Sequence, residues 1–234
     1  MNANLPLELW QLILELSCLS EQLKILGLCK LFNQRLKIID LYHISKKYKF
    51  RLNDNIIKRY PHVKFLNASE NEKITDTGLS NLNLLKLDAS YNRKITGQGI
   101  NHMKLQSLKA SGTSSLSDED IKHLNLTSLD ASSNGKITDN GIKHLYLLKL
   151  DASGNRNISN KGIAHMNLQV LKCHWNKKIT DDGIKHCNLK TLEAIGYCGI
   201  TDRGIQHMQL HKLNVSDNNQ ITDQGIVSLS MLSI

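Results

Sequence analysis

The stretch "LKLDASYNRKITGQGINHMKL", residues 85–105, is one copy of a unit that recurs every 21 residues along most of the chain. Another copy reads "LKLDASGNRNISNKGIAHMNL", residues 148–168, and no insertion shifts the phase between copies. Four apolar rows run through the copies, and the most regular of them contains Leu66, Leu87, Leu108, Leu129, Leu150, Leu171, Leu192 and Leu213. An uninterrupted period of this length predicts a solenoid in which each copy forms one coil.

Each copy contains a strand segment followed by a return segment. Leu85, Leu87 and Ala89 alternate with other residues, which is typical of a short strand with one buried face. The "ITD" that follows supplies Thr or Asp to cap a short helix or a 3₁₀ turn. We therefore predict parallel strands stacked into a ribbon, with short rather than full return helices.

Two polar rows accompany the apolar ones. An asparagine row, interrupted by Thr113 and Tyr197, is expected to point inward and to bond to the backbone of neighbouring coils. A glycine row, interrupted only by Asp120, indicates either unusual dihedral angles or close approach between coils. The asparagine row contains Asn71, Asn92, Asn134, Asn155, Asn176 and Asn218.

These features resemble the leucine-rich repeat, whose period is about 20–29 residues. The resemblance covers residues 63–234 and implies an α/β fold: a solenoid with a parallel concave sheet and short helical or 3₁₀ return segments. It comprises eight units, with a ninth strand only begun at Ile234. We expect this end to fray or to self-associate unless the chain is a shortened form.

Residues 1–45 do not repeat and contain apolar residues at helical spacing, which predicts three short helices. Leu5-Pro6 with Glu8, then Ile13 and Leu16, then "LGLCKLFNQRL" (26–36) resemble the F-box, by which substrate receptors dock on the Skp adaptor of cullin–RING ubiquitin ligases. Leu28 and Phe32 depart mildly from the usual Val and Trp. The adaptor-binding residues that this resemblance implies are Leu5, Pro6, Leu9, Ile13, Leu16, Leu26, Cys29, Lys30 and Phe32. The alternative is that they only pack an N-terminal cap.

Composition limits the remaining classes. The formal net charge is +9, but the basic residues are spread along the chain, so charge alone gives weak support for nucleic-acid binding. Five cysteines without CxxC spacing favour reduced thiols in the cytoplasm or nucleus. The apolar start includes Glu8 and Glu15 and has no basic flank, which argues against a signal peptide or membrane span. Residues 46–62 contain no flexible linker and predict a rigid joint before the repeats.

The copy "LKCHWN", residues 171–176, departs from its counterparts "LDASGN" and "LDASYN". Exposed aromatic residues on a surface of small side chains are typical of binding hot spots. We predict that the target-binding residues are Lys149, Asp151, Val170, Lys172, His174, Trp175, Thr191, Glu193, Ile195 and Tyr197. The alternatives are neutral drift, or aromatic side chains that fill a core defect where the asparagine row is broken. Arg93, Lys94, Lys136, Arg156, Lys177 and Lys178 are interpreted as a solvated edge, with steering of an acidic partner as the alternative.

Catalysis finds little support in the sequence. No GxSxG, GxxxxGK[ST] or HExxH motif occurs, and Cys173 and Cys187 fall on core rows. Cys198 and His174 form a conceivable pair, but no residue in the sequence orients the histidine. The histidine row, expected to be half covered by its neighbours, contains His102, His123, His144, His165, His186 and His207 and has no ligand spacing for a metal.

The sequence thus predicts a non-catalytic substrate receptor without a cofactor. In this interpretation the N-terminal helices dock on a Skp adaptor, and through it on a cullin–RING ligase, while the concave repeat face holds an unknown target protein. The alternative is a stand-alone leucine-rich-repeat interaction module whose N-terminal helices cap the solenoid.

Overall fold

The structure is a computed structural model that describes residues 38–229, and these form one solenoid. In this range every strand of a single parallel sheet pairs with the next strand along the chain, in the order β1 to β9. The strands are β1 (Asp40–Leu41), β2 (Phe65–Asn67), β3 (Lys86–Asp88), β4 (Ser107–Lys109), β5 (Ser128–Asp130), β6 (Lys149–Asp151), β7 (Val170–Lys172), β8 (Thr191–Glu193) and β9 (Lys212–Asn214). The predicted solenoid with a parallel sheet is confirmed.

The leucine row lies at the middle of the strands. Leu87 pairs in register with Leu66 on one side and Leu108 on the other. All three are fully buried, so the leucines of successive coils stack into one continuous core. Because each coil buries its apolar face mainly against its neighbours, stability is distributed along the solenoid.

The return segments contain single-turn helices, as the sequence predicts. They are α1 (Lys46–Lys49), α2 (Asp54–Ile57), α3 (Asp76–Leu79), α4 (Gly97–Ile100), α5 (Asp118–Ile121), α6 (Asp139–Ile142), α7 (Asn160–Ile163), α8 (Asp181–Ile184), α9 (Asp202–Ile205) and α10 (Asp223–Val227). A Thr or Ser precedes each of α3 to α10 in extended conformation, and in most of them its hydroxyl accepts a backbone N–H of the first turn.

Aspartates at the start of these helices link each coil to the next. The carboxylate of Asp54 accepts the backbone N–H of Thr75 at 2.8 Å and its hydroxyl at 2.7 Å. The same two bonds join Asp76 to Thr96, Asp118 to Thr138, Asp139 to Ser159, Asp181 to Thr201 and Asp202 to Thr222.

This linkage explains the glycine row. A Cβ atom at Gly141 would overlap the carboxylate of Asp118, and the other glycines of the row face the preceding coil in the same way. None of these glycines has a left-handed φ, so close approach is the confirmed reason and unusual dihedral angles are not.

Asp120, the exception in the glycine row, takes over a capping role that the preceding coil does not fill. Gly97 stands where the other coils carry a capping aspartate or, at Asn160, an asparagine, so Ser117 lacks a partner from the preceding coil. Asp120 replaces it from the same helix, because its carboxylate accepts both the N–H and the hydroxyl of Ser117 at 2.8 Å. A Cβ atom at Gly97 would overlap that carboxylate. Glycine and aspartate have therefore exchanged places between positions 97 and 120, and Ser117 keeps a carboxylate partner.

The asparagine row is buried and fully bonded, as predicted. Asn155 donates to three carbonyl groups of the preceding coil at 2.7–3.1 Å and accepts the backbone N–H groups of Asn157 and Ile158 at 2.9 and 3.2 Å. A buried amide with all its bonds made ties neighbouring coils together without a desolvation penalty.

The solenoid begins before the predicted repeat region. Leu41 of β1 pairs with Leu66 and is fully buried, although position 41 falls in the segment assigned to the helical N-terminal domain. Asn71 donates to the carbonyl oxygens of Lys49 and Leu52, so the predicted joint 46–62 packs on the first repeat. The division of the chain into domains stays a prediction. Among residues 38–229 no helix combines the length and apolarity needed to cross a bilayer.

Candidate protein-binding surface

The first and third residues of each strand flank the buried leucine row and form what we call the open face. The first column runs Lys86, Ser107, Ser128, Lys149, Val170, Thr191 and Lys212, and the second runs Asp88, Lys109, Asp130, Asp151, Lys172, Glu193 and Asn214. Most of these side chains are exposed or half-buried. Their strand positions follow from the repeat, whereas their charges differ from coil to coil.

Charges on the open face largely neutralise one another. Lys109 lies between Asp88 and Asp130 in the register of the sheet. Partial burial lowers the pKa of Lys109. The neighbouring Tyr42, Asp88 and Asp130 outweigh it and raise the pKa above the ordinary value. A lysine held in this way is less available to a partner than an isolated one.

A shallow concavity of about 270 Å³ lies on the open face around Asp130, Lys149, Asp151 and Val170. Burial is the main cause that raises the pKa of Asp151, and the neighbouring Asp130 adds to it, while hydrogen bonds from Ser153 act in the opposite direction. The concavity therefore contains two adjacent carboxylates beside lysines, a mixed surface without one dominant charge.

Glu193 is the centre of an ionic cluster at the end of the open face. Its carboxylate lies 2.7 Å from Lys212 Nζ, 3.0 Å from Lys172 Nζ and 3.6 Å from His174 Nε2. The hydrogen bond from Lys212, with that from Lys172, lowers the pKa of Glu193 despite burial. The predicted contact residue Glu193 is buried and paired within the chain, so its main contact is internal.

The aromatic residues lie at the turn that follows the strands, where the asparagine row is broken. Where Tyr197 replaces the asparagine, the next residue, Cys198, points inward and is 1% exposed. Its sulfur lies 3.1 Å from Asn218 Nδ2 of the following coil. Tyr197 is thereby directed outward and is 56% exposed. The break thus moves a core position by one residue and leaves an aromatic side chain on the surface.

Trp175 lies beside Tyr197 and does not enter the core. Its ring centroid is 5.7 Å from that of Tyr197 at an interplanar angle of 54°, and the residue is 53% exposed. A Cβ atom at Gly196 would lie 2.7 Å from Trp175 Cζ2, so only glycine leaves room for the indole there. The alternative in which these aromatic residues fill a core defect is wrong.

The two rings form one wall of a cleft that we call the rim cleft. Its volume is about 520 Å³, and it is lined by Arg156, Trp175, Asn176, Lys177, Lys178 and Tyr197. Lys177 Nζ lies 5.2 Å from the ring centroid of Tyr197, within the range of cation–π attraction. The rim cleft therefore combines apolar aromatic area with three positive charges.

The structure divides the predicted contact residues into three groups. Lys149, Asp151, Val170, Lys172, Thr191 and Glu193 lie on strands of the open face. His174 and Ile195 follow these strands and are half-buried, and only Trp175 and Tyr197 belong to the rim cleft. Sequence reasoning missed Arg156, Lys177 and Lys178 as members of the cleft, although their place one or two residues after an asparagine of the row was a usable signal.

In the described part of the chain, the histidine row and Cys173 are not arranged as a metal site. The six histidines are all solvent-exposed, and two of them, His102 and His165, hydrogen-bond to a backbone carbonyl of the preceding coil at 2.9 Å. Cys173 is a free thiol buried in the core, and hydrogen bonding with the free thiol of Cys198, together with burial, raises the pKa of Cys173 well above the ordinary value. Within residues 38–229 no group of three or more His, Cys, Asp and Glu side chains is arranged to hold a metal ion.

The adaptor-binding residues implied by the F-box resemblance all lie outside the described residues. The segment from Leu5 to Phe32 precedes residue 38, where the description begins. Their role stays a prediction.

Comparisons with known proteins identify the repeat. A family model for the leucine-rich repeat matches residues 122–145 and 206–230. A chain from the crystal structure of the Rad7 and Elc1 complex in yeast is similar over 96% of this chain and 79% of its own length, with 16% sequence identity and a TM-score of 0.46. No curated protein matches the sequence. The sheet and the family matches together show a leucine-rich-repeat scaffold, a fold that binds proteins, while the distant structural likeness carries no functional argument.

Proposed function

We propose that this chain is the substrate-recognition subunit of a Skp–cullin–F-box ubiquitin ligase, with a target protein held on the repeats. The observation that carries the target-binding half is the exposed pair Trp175 and Tyr197, which folding does not place in the core. Rigid aromatic side chains on an exposed rim are typical anchors of protein interfaces. The adaptor-binding half rests on the resemblance of residues 5–36 to the F-box.

In this proposal the chain binds and positions its target and contributes no catalytic group. Ubiquitin transfer belongs to the ligase and conjugating enzymes that the adaptor brings. The open face and the rim cleft lie on the same continuous solenoid, so a target bound there is held at a set distance from the first coil.

A second candidate is a stand-alone interaction module. It is favoured by the first coil, in which Leu41 and the carbonyl groups of Lys49 and Leu52 already cover the first repeat. Residues that precede this coil would then extend a cap rather than form a docking domain.

Capture of purified Skp adaptor by the full chain separates the two candidates. The double variant Leu5→Ala/Pro6→Ala should lose the adaptor and keep its circular dichroism spectrum, whereas Trp175→Ser/Tyr197→Thr should retain the adaptor. Failure of the unmodified chain to capture the adaptor would favour the stand-alone module.

A further inference from the structure

We propose that the rim cleft binds an acidic peptide segment that carries one aromatic or long aliphatic side chain. This inference deepens the proposed function and rests on it, because the segment would belong to the target protein. The apolar side chain would lie against Trp175 and Tyr197, and flanking carboxylates would face the cations of the cleft.

Charge complementarity carries the first half of the argument. Arg156, Lys177 and Lys178 all line the cleft, and no carboxylate is among its lining residues. In the part of the chain that the structure describes, none of the three forms an ion pair. Lys172 and Lys212 of the open face, by contrast, pair with Glu193, and Lys109 has Asp88 and Asp130 as neighbours. The cleft thus gathers three cations, unpaired among the described residues, beside two aromatic rings, where an anionic ligand can meet them.

The aromatic pair carries the second half. Trp175 lies across Gly196, which directs its indole toward Tyr197 and away from the core. Both rings are about half exposed, and the cleft volume of about 520 Å³ is in the range of concave ligand sites. An apolar side chain bound there would cover ring area that water now contacts, which favours binding.

A peptide fits the geometry better than a single-stranded nucleic acid. Strand-binding surfaces carry successive spaced stacking platforms along a positive groove. Here the two rings contact each other and offer one place, and the neighbouring open face contains Asp130, Asp151 and Glu193. Because carboxylates and lysines are mixed on the open face, a polyphosphate backbone that continued past the cleft would find no continuous positive groove there.

The test is fluorescence anisotropy of labelled peptides with the full chain. The probe is a peptide in which one leucine is flanked by aspartates and glutamates. Its matched controls are the same peptide with Asn and Gln in place of the acids, and with Ser in place of the leucine. We expect saturable binding of the probe only, weakened by added salt because the charges are exposed.

The variants introduce residues that this chain already uses at equivalent positions. Arg156→Glu copies Glu72, Tyr197→Thr copies Thr113, and each should weaken probe binding by about tenfold or more. Tyr91→Ser, at the equivalent of Trp175 in another coil, should leave the affinity unchanged. In a Trp10→Phe background, Trp175 is the only tryptophan, and the probe should change its emission.

Three results would overturn the inference: equal binding of the neutral control, equal affinity of the Arg156→Glu variant, or tighter binding of an oligothymidylate than of the probe. The outcome is separable from that of the proposed function. Adaptor capture depends on the segment Leu5–Phe32, whereas the probe contacts Arg156 and Tyr197, so either can fail while the other succeeds.

Discussion

The asparagine row is broken twice, at Thr113 and at Tyr197, and the two breaks have the same backbone solution. In each, the following residue turns inward, Ser114 at 2% exposure and Cys198 at 1%. In each, the preceding glycine has a left-handed φ of +65° and lies under an aromatic ring of the preceding coil. At both breaks, therefore, the residue after the missing asparagine takes the inward position.

What the two breaks present to solvent differs. The first exposes a threonine beside Tyr91, which has no aromatic partner among the described residues, and position 72 is a glutamate. The second exposes Tyr197 beside Trp175, and the position equivalent to 72 is Arg156. Because the scaffold folds equally well around a threonine, folding does not require an aromatic residue at position 197. The two breaks therefore differ in the side chains that they expose to solvent.

The largest loss of stability should come from removing an asparagine of the asparagine row in a coil where the row is intact. Asn155→Ala leaves several buried backbone groups without partners and should lower the free energy of unfolding by about 3 kcal/mol. Thr113→Ala, at the break, removes an exposed side chain and should change it by less than about 0.5 kcal/mol. Urea denaturation followed by circular dichroism compares them, and equal losses would contradict the description of the breaks.

The exchange of glycine and aspartate between positions 97 and 120 differs from the breaks in the asparagine row, because it keeps the hydrogen bonds of the regular coil. Gly97→Asp brings a second carboxylate onto Asp120, and Asp120→Gly leaves Ser117 without its cap. Each should cost about 1–2 kcal/mol, whereas the double variant restores the common pattern and should approach the unmodified chain. Additive losses in a double-mutant cycle would show that the two positions do not compensate each other.

The glycines under the aromatic rings should give a smaller effect, equal at the two breaks. Gly112→Ala and Gly196→Ala place a Cβ atom at a left-handed φ and against a ring, and each should cost about 1 kcal/mol. Gly135→Ala is the matched control, because a Cβ there meets no atom within 4 Å. Only Gly196→Ala should shift the emission of Trp175. An unshifted emission would mean that the indole does not depend on Gly196 for its position.

The smallest effect should be in the pH dependence of the equivalent positions Glu193 and Lys109. The pKa of Glu193 is lowered from 4.5, so its contribution to stability is complete above pH 4.5 and is lost as pH falls through the lowered value. The pKa of Lys109 is raised from 10.5, so its contribution is present below pH 10.5 and is lost as pH rises through the raised value.

Glu193→Gln should therefore reduce stability at neutral pH by less than about 1 kcal/mol, with a difference that shrinks in acid. Lys109→Met should show a difference of similar size that shrinks only in strong alkali. Unfolding midpoints measured from pH 3 to pH 11 test both, and a Glu193→Gln difference that grows in acid would contradict the sign.

Much of this architecture follows from sequence periodicity alone. The inward direction of Leu87 and Asn155 is predicted by position in the repeat, since each coil must bury the same rows against its neighbour. The reason for the glycine row required a further fact, namely that an aspartate caps the following coil rather than its own. Without knowledge of this cap between coils, Gly97 and Asp120 are two unrelated exceptions to the repeat.

The residues of the rim cleft were only half predictable from the sequence. Trp175 and Tyr197 stand out because they depart from the repeat, whereas Arg156, Lys177 and Lys178 occupy positions where other coils also carry basic residues. That they meet the two rings depends on the left-handed turn at Trp175 and the inward shift of Cys198. The left-handed turn recurs at the equivalent residue of each coil from Glu70 to Asp217, whereas the inward shift of Cys198 is not encoded by the repeat pattern.

Chemical denaturation of the Trp175→Ser/Tyr197→Thr variant tests most directly the claim that the aromatic pair serves binding and not folding. Both new residues are those that the chain uses at equivalent positions, Ser133 and Thr113. We predict an unfolding free energy within about 1 kcal/mol of the unmodified chain, because a half-exposed aromatic pair contributes about that much. A loss near the 3 kcal/mol or so expected for Asn155→Ala would mean that the rings hold the solenoid together, and would contradict the account.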